Sequence, residues 1–206
     1  MRALGAGLSL VKSVNGGMDE ALTRSMVELA RQIRERTGAF WTDQLKNADQ
    51  LHAYHAMGEE IWRQTEGRVD AFVQCVGTAA SVRGVAENLR GKRSDIHIVA
   101  VEPAESAVLS GQKTGVHKIE GIGAGFAVPL WDPSVVSEIA AVSTQEAKDM
   151  ARRLAREEAI FAGTSTGANL VAALRAAERL GAGATVVTVM CDSGTKYLGT
   201  DLYQEA

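Results

Sequence analysis

The sequence contains little cysteine, proline or aromatic side chain. Its 206 residues include 2 Cys, 3 Pro and 5% aromatic residues. Because Cys75 and Cys191 lie far apart in the chain, they predict free thiols in a reducing compartment and argue against a disulfide-stapled scaffold. With 46% hydrophobic and 23% charged residues, the composition is otherwise that of an ordinary globular protein, which argues against disorder and collagen-like repeats. The length suits one domain, or one domain and part of another.

Long apolar runs and an excess of charge are also missing. The longest uncharged stretch, 159–174, is shorter than the roughly 20 residues of a transmembrane helix and is interrupted by hydroxyl and amide side chains. Residues 1–11 place Arg2 before an apolar stretch, but no small-x-small cleavage motif follows, so we predict no secretion signal. A net charge of −3 provides no basic surface for nucleic acid or anionic membranes. We expect a cytoplasmic protein with no membrane or nucleic-acid partner.

Strand and helix patterns alternate along the first half of the chain. Apolar residues at helical spacing predict helices over 18–38 and 49–64. Compact apolar runs predict buried strands over 70–76 and 95–101, with a helix between them. A short run, 7–11, is a further candidate strand.

The second half continues the alternation. The glycine-rich stretch 111–131 fits neither period and is predicted to be a loop. After a short strand, Ser143 and Glu146 form a capping-box pattern at the start of a long amphipathic helix. Another helix is predicted to end at Gly181, and the β-branched run 185–190 is apolar on both sides, as a central parallel strand requires.

This alternation predicts an α/β fold. The expected architecture is a three-layer αβα arrangement, in which a mostly parallel sheet is covered by helices on both faces. Ligands of such sheets bind at the carboxyl ends of the strands. Residues 1–40 supply only one candidate strand and one helix, which indicates a part of something larger.

The first candidate site follows a predicted buried strand and precedes a helix. Its residues are Gly77, Thr78, Ala79, Ala80 and Ser81. A turn there points several backbone N–H groups and the positive end of a helix dipole at one spot, and two hydroxyls add further donors. This donor set suits a phosphate, although an ordinary strand-to-helix turn with a hydroxyl cap also explains the residues.

The second candidate is the glycine-rich motif GIGAGF, with Gly121, Gly123 and Gly125. It fails the dinucleotide fingerprint, because Phe126 stands where the third glycine belongs and the following residues cannot open a regular helix. Three alternating glycines still indicate a backbone that approaches something closely. A ligand-lining loop and a flexible surface loop both remain open.

The third candidate, 163–167, reads GTSTG and matches the G-x-S-x-G pattern of a nucleophile elbow. A serine hydrolase of that type needs a histidine after the serine, and all histidines of this sequence come before it. A polar helix start whose hydroxyls cap N–H groups is therefore the preferred interpretation.

The fourth candidate is Asp192, Ser193 and Gly194, directly after the predicted strand 185–190. A parallel sheet presents polar side chains to a ligand at this point. A simple turn explains the same tripeptide.

The sequence predicts no metal site. His52, His55 and Glu59 share a helix face at a usable spacing, but no further anchored ligand is evident, so solvated or packed histidines are the preferred interpretation. None of the lysines lies in a context that suggests a desolvated Schiff-base lysine.

In their order along the chain, five motifs resemble the cysteine synthase family of pyridoxal-phosphate enzymes, which have the tryptophan synthase β-like fold (fold type II). The resemblance covers the whole chain, and its motifs are FVQCVGTAAS (72–81), VEPAESAVLSG (101–111), HKIEGIGAGF (117–126), GTSTGAN (163–169) and CDSGTKYLGT (191–200). No single motif would suffice, but the five in order form a specific signal.

The resemblance implies pyridoxal 5′-phosphate as the cofactor. Residues 77–81 match the family loop that cradles its phosphate, and Ser193 matches the hydroxyl partner of its pyridine nitrogen. The family loop is usually richer in glycine, but Ala79 and Ala80 keep their N–H donors if their φ angles are compatible. The glycine loop beside the substrate pocket is matched by Gly121, Gly123 and Gly125.

The implied reaction is β-replacement, in which an activated serine such as O-acetylserine reacts with sulfide to give cysteine. A neutral hydroxyl at Ser193 would temper electron withdrawal by the cofactor ring, which favours this chemistry. The resemblance also implies a homodimer that acts on a small-molecule amino-acid substrate. Cystathionine β-synthase and serine or threonine dehydratase relatives are alternatives within the same class, because several of them share the hydroxyl.

The family's Schiff-base lysine and its substrate-binding asparagine loop lie in the amino-terminal third, which the matched motifs do not include. The resemblance therefore implies that 1–40 is a remnant of the small mobile domain and that 41–206 is the large domain that binds pyridoxal phosphate. We expect no catalytic lysine in this chain and no turnover by the isolated chain. The alternative from another class is a noncatalytic binding module or subunit that needs a partner chain.

Overall fold

A computed structural model describes residues 1–204 of the chain, and within them it contains five α-helices and four β-strands. The helices are α1 (Glu20–Thr37), α2 (Gln50–Gln64), α3 (Ala80–Lys92), α4 (Thr144–Glu158) and α5 (Thr164–Leu180). The strands are β1 (Ala71–Cys75), β2 (His97–Pro103), β3 (Glu138–Val142) and β4 (Val186–Thr188). Most predicted elements are therefore confirmed, and 111–131 contains no helix or strand.

The four strands form one parallel sheet in the order β3-β2-β1-β4. Strand β1 is buried along its whole length, and alternate side chains enter opposite cores. Phe72 packs into a core with α2 and α3, whereas Val73 packs into a core with α4 and α5. Helices thus cover both faces, which confirms the three-layer α/β prediction.

Two strand predictions are wrong. The run 185–190 forms only the short strand β4, which lies at the edge of the sheet rather than in its centre and is half-buried. Its apolar pattern suits two flanking strands, but the described residues supply only β1. Residues 7–11 form no strand, and Leu8 and Leu10 are exposed, because no neighbouring strand pairs with them.

The capping box before α4 forms as predicted. Ser143 Oγ accepts the N–H of Glu146 at 3.2 Å, and the Glu146 carboxylate accepts the N–H of Ser143 at 2.9 Å. The Ser143 hydroxyl also donates to the Glu146 carboxylate at 2.7 Å, and this bond first, with the one from the Ser143 N–H, lowers the pKa of Glu146 below its usual value. At the C-terminal end of α5, Gly181 follows the last turn with φ +87°, which a glycine tolerates without strain.

The topology brings the segments that follow β1 and β2, and the start of α5, to one end of the sheet. Val76 donates its N–H to Val101 at 2.9 Å, and Cys75 donates its thiol to the Ser165 carbonyl at 3.4 Å. Within residues 1–204, no helix combines the length and the apolar character needed to cross a membrane. Nor does this part of the chain contain a group of three or more His, Cys, Asp or Glu side chains placed to hold a metal ion.

Candidate active site

The segment 77–79 connects β1 to α3, and its backbone conformation is tightly constrained. Ala79 has φ +68°, in the left-handed region that favours glycine. Holding an alanine in this conformation costs about 1 kcal/mol of conformational energy, so Ala79 is strained in the position directly before α3. A methyl group on Gly77 would lie 2.5 Å from the Gly121 carbonyl oxygen. Two loops therefore meet here backbone to backbone.

This turn presents a set of free donors. In the described part of the chain, the N–H groups of Gly77, Thr78 and Ala79 have no hydrogen-bond acceptor. The Ala80 N–H reaches only the Thr78 hydroxyl, at 3.3 Å. Unpaired N–H groups at the first turn of α3 lie at the positive end of its dipole. The segment 77–81, here termed the cradle, thus has the donor chemistry that a phosphate group requires.

The three glycines of GIGAGF all have positive φ, but they occupy different places. Gly121 faces Gly77 across the cradle. Gly123 donates its N–H to the Val76 carbonyl at 3.1 Å and accepts the Nε2–H of His117 at 2.9 Å. A methyl group on Gly125 would lie 2.6 Å from the backbone of Glu20, so this glycine packs against the start of α1.

A cavity of about 320 Å³ opens beside the cradle. Its walls include Gly77, Thr78 and Gly121 on one side, and Met26 and Val27 of α1 on the other. It therefore lies between the segment before residue 40 and the rest of the fold. Of the three predicted pocket glycines, only Gly121 lines this cavity.

A second cavity, of about 500 Å³, also includes Gly121, and three lysines are among its lining residues. Lys148 is buried and lies 2.7 Å from the Asp201 carboxylate, and Lys118 lies 3.7 Å from the same group. Lys196 lies 3.3 Å from Asp192. All three lysines are thus paired with carboxylates, and the cavity beside the cradle has no lysine among its described lining residues.

The predicted Ser193 is brought close to the start of α5 but is exposed. Its backbone forms an isolated bridge with Ala162. Its Oγ accepts the N–H of Thr195 at 3.3 Å and lies 3.0 Å from the Thr195 hydroxyl, so it caps the short turn Gly194–Tyr197. Ser165, in the first turn of α5, carries a second hydroxyl, and this one is buried.

The sequence interpretation treated GTSTG as a helix start, and the structure supplies the reason for its glycines. A methyl group on Gly163 would lie 2.2 Å from Asp192 Oδ1, and one on Gly167 would lie 1.9 Å from the Ala147 carbonyl oxygen. Both glycines permit close packing. Ser165 was predicted to lie at a polar helix start, and its burial is decided by the packing of α5 rather than by the local sequence.

The two thiols are poorly suited to nucleophilic chemistry. Burial raises the pKa of Cys75 well above its usual value. Burial also raises the pKa of Cys191, although neighbouring hydroxyl and amide groups oppose this effect. A raised pKa keeps each sulfur protonated near neutral pH, so neither is an activated thiolate.

Tyr197, which donates to Asp192 at 2.8 Å, has its pKa raised to about 12, mainly by burial.

Proteins of similar sequence include cysteine synthases. The chain is 38% identical over 205 residues to a cysteine synthase of Staphylococcus aureus, covering 98% of this chain and 64% of the relative. It is 46% identical over 165 residues to cysteine synthase 3 of Caenorhabditis elegans, covering 79% of this chain and 49% of the relative. The chain therefore spans less than two thirds of the length of these curated relatives.

A solved structure of cysteine synthase from Entamoeba histolytica superposes with a TM-score of 0.88 at 40% identity, covering 98% of this chain and 59% of that one. The fold is thus the one that these enzymes share, which agrees with the fold type II prediction. The family model described as "Pyridoxal-phosphate dependent enzyme" matches residues 1–192. On these matches, with the cradle and its free donors, the chain belongs to the pyridoxal-phosphate-dependent enzyme family.

Proposed function

We propose that this chain carries the phosphate-binding part of a cysteine synthase-like enzyme, which replaces the β-substituent of an activated serine such as O-acetylserine with sulfide. The observation that carries the proposal is the cradle, where the N–H groups of 77–79 have no acceptor among residues 1–204 at the start of α3. The similarity to cysteine synthases over 98% of the chain supports the reaction type.

When bound, pyridoxal phosphate supplies an electron sink for chemistry at the α-carbon of an amino acid. The cradle would hold its phosphate through backbone N–H groups and the Thr78 and Ser81 hydroxyls. Ser193 is our proposed partner for the ring nitrogen, and the buried Ser165 is the competing candidate at the start of α5. Of the predicted glycines, Gly121 would shape the wall on the substrate side, and Gly123 and Gly125, which do not line the cavity, would hold their loop in position.

We further propose that the 206-residue chain by itself does not catalyse this β-replacement reaction. Its cavity beside the cradle lacks a lysine among the described lining residues, and the three lysines that line the second cavity are paired with carboxylates. The segment 1–40 would act as the remnant of a small domain and 41–206 as the cofactor-binding domain. A homodimer in the cytoplasm is the expected state, and sedimentation of the purified chain measures the association.

The experiment is a calorimetric titration of the full chain with pyridoxine 5′-phosphate and with pyridoxine. Both ligands lack the aldehyde, so reaction with surface lysines does not disturb the measurement. We expect tighter binding of the phosphate ester. Gly77→Ala should weaken it about tenfold by pushing Gly121 away, whereas Gly91→Ala, where a methyl meets no atom within 4 Å, is the matched control. Equal affinity for both ligands in the unaltered chain would refute the proposed cradle.

Turnover is tested separately. The purified chain, given pyridoxal phosphate, O-acetylserine and sulfide, should form no cysteine above a protein-free control. Measurable cysteine formation would contradict the proposed lack of turnover while leaving the cradle intact.

A second candidate function is a binding subunit that assembles with a partner chain. The exposed edge of β4, whose sequence suits a central strand, favours it. Co-expression with a cysteine synthase segment that carries the family lysine should then restore cysteine formation. No gain of activity and no co-purification would reject this candidate.

A further inference from the structure

Two buried amide side chains lie between β1 and α5, directly behind the cradle. Asn169 in α5 is completely buried, and Gln74 in β1 is nearly so. They touch each other, since Asn169 Nδ2 donates to Gln74 Oε1 at 2.9 Å. Gln74 Nε2 in turn reaches Ser81 Oγ, at 3.3 Å, in the first turn of α3. A continuous row of hydrogen bonds therefore connects α5 to the cradle.

The backbone sets the direction of every bond in this row. The Cys75 N–H can only donate, and it does so to Asn169 Oδ1 at 2.7 Å. The Val189 carbonyl can only accept, and it does so from Asn169 Nδ2 at 2.9 Å. Asn169 therefore has one possible orientation, with its amino group toward Gln74. That in turn places Gln74 Oε1 toward Asn169 and leaves its amino group for Ser81.

At its far end, the row of hydrogen bonds fixes the Ser81 hydroxyl as an acceptor from Gln74. Because Gln74 can only donate at that end, Ser81 Oγ must accept, and its own proton is left to point elsewhere. Among the described residues the Ser81 hydroxyl donates to no protein acceptor. A phosphate dianion has only acceptor oxygens, so a hydroxyl held as a donor is the useful form.

We propose that Gln74 and Asn169 are positioning residues that orient the Ser81 hydroxyl as a hydrogen-bond donor toward a bound phosphate. This inference rests on the proposed function, because it requires that the cradle binds a phosphate ester. Neither amide touches the ligand. Their effect on the phosphate is proposed to pass through Ser81, and this predicts a specific pattern of coupling between substitutions.

The test measures the ratio of the affinities for pyridoxine 5′-phosphate and pyridoxine in the full chain. Ser81→Ala should lower the ratio about tenfold, as expected for the loss of a hydrogen bond to a charged group. Gln74→Leu should lower it several-fold by releasing the hydroxyl. In the Ser81→Ala background, Gln74→Leu should cause no further loss, because the hydroxyl through which it acts is gone.

Thr188→Val is the matched control. Thr188 in β4 donates its hydroxyl to the Val73 carbonyl at 2.8 Å, in the same strand as Gln74, and does not touch the cradle. It should reduce stability without changing the ratio. Gln74→Glu serves if the leucine variant folds poorly: a carboxylate accepts from both Asn169 and Ser81, which turns the Ser81 proton away from the ligand and should also lower the ratio.

An unchanged ratio in a folded Gln74 variant overturns the inference, and so does an equal loss with and without the Ser81 hydroxyl. Either result leaves the proposed function standing, provided that the unaltered chain prefers the phosphate ester. If the unaltered chain shows no such preference, the proposed function fails first and the inference fails with it.

Discussion

The same substitution at two helical glycines should have opposite effects on stability. Gly167 lies in α5 where the helix crosses α4, and a methyl there would lie 1.9 Å from the Ala147 carbonyl oxygen and 3.0 Å from the Ala151 nitrogen. Both atoms belong to the backbone of a helix, so they cannot rotate away. Gly167→Ala must separate the two helices and should cost about 3 kcal/mol, the upper range for overpacking.

Gly91 lies on the exposed side of α3, and a methyl there meets no atom within 4 Å. Gly91→Ala should therefore gain about 0.5–1 kcal/mol from the lower backbone entropy of the unfolded chain and from helix propensity. The two variants are thus expected to differ by about 4 kcal/mol in the free energy of unfolding.

Urea denaturation followed by circular dichroism measures this difference. With a slope of about 2 kcal/mol per molar urea, the midpoint of Gly167→Ala should fall by about 1.5 M, and that of Gly91→Ala should rise slightly. A Gly167→Ala midpoint equal to or above that of the unaltered chain would refute the close helix contact.

Two further predictions concern charged groups. The pKa of Glu146 is lowered in the folded chain, so its bonds with Ser143 stabilise the fold above about pH 4.5, and this contribution is lost as the pH falls through the lowered pKa. The urea midpoints of the unaltered chain and of Glu146→Gln should therefore converge in acid. A difference between the midpoints that persists in acid would contradict the argument. Asp201→Asn should lower the free energy of unfolding by about 1–2 kcal/mol, because it leaves the buried Lys148 ammonium with a neutral partner. Asp149→Asn, at an exposed pair with Arg152, should change it little. Equal effects of the two substitutions on the urea midpoint would refute the distinction.

Local patterns predicted the elements well where each pattern depends on neighbours in the chain. The capping box of Ser143 and Glu146 needs only residues three apart, and it forms as expected. The buried run that became β1 is covered on both faces, as its uniform apolar character predicted. The run 185–190 was placed wrongly, because whether a strand is central depends on what pairs with its far side.

The candidate site shows the same division. The cradle could be recognised from its position between a strand and a helix, together with its hydroxyls. The left-handed φ of Ala79 could not, because alanine carries no local signal for that conformation. Gly123 and Gly125 looked alike in sequence, but one bonds to Val76 and the other packs on α1, since their partners are remote along the chain.

The sequence by itself determined the α/β class, the place of the cradle and the family resemblance, because periodicity, turn residues and ordered motifs are local properties of the chain. Only the tertiary structure decided which polar groups meet. Gln74 and Asn169 are 95 positions apart, and each is an unremarkable amide until β1 and α5 bury them in contact. Once they are buried, every donor needs an acceptor, and that requirement sets the direction of the Ser81 hydroxyl.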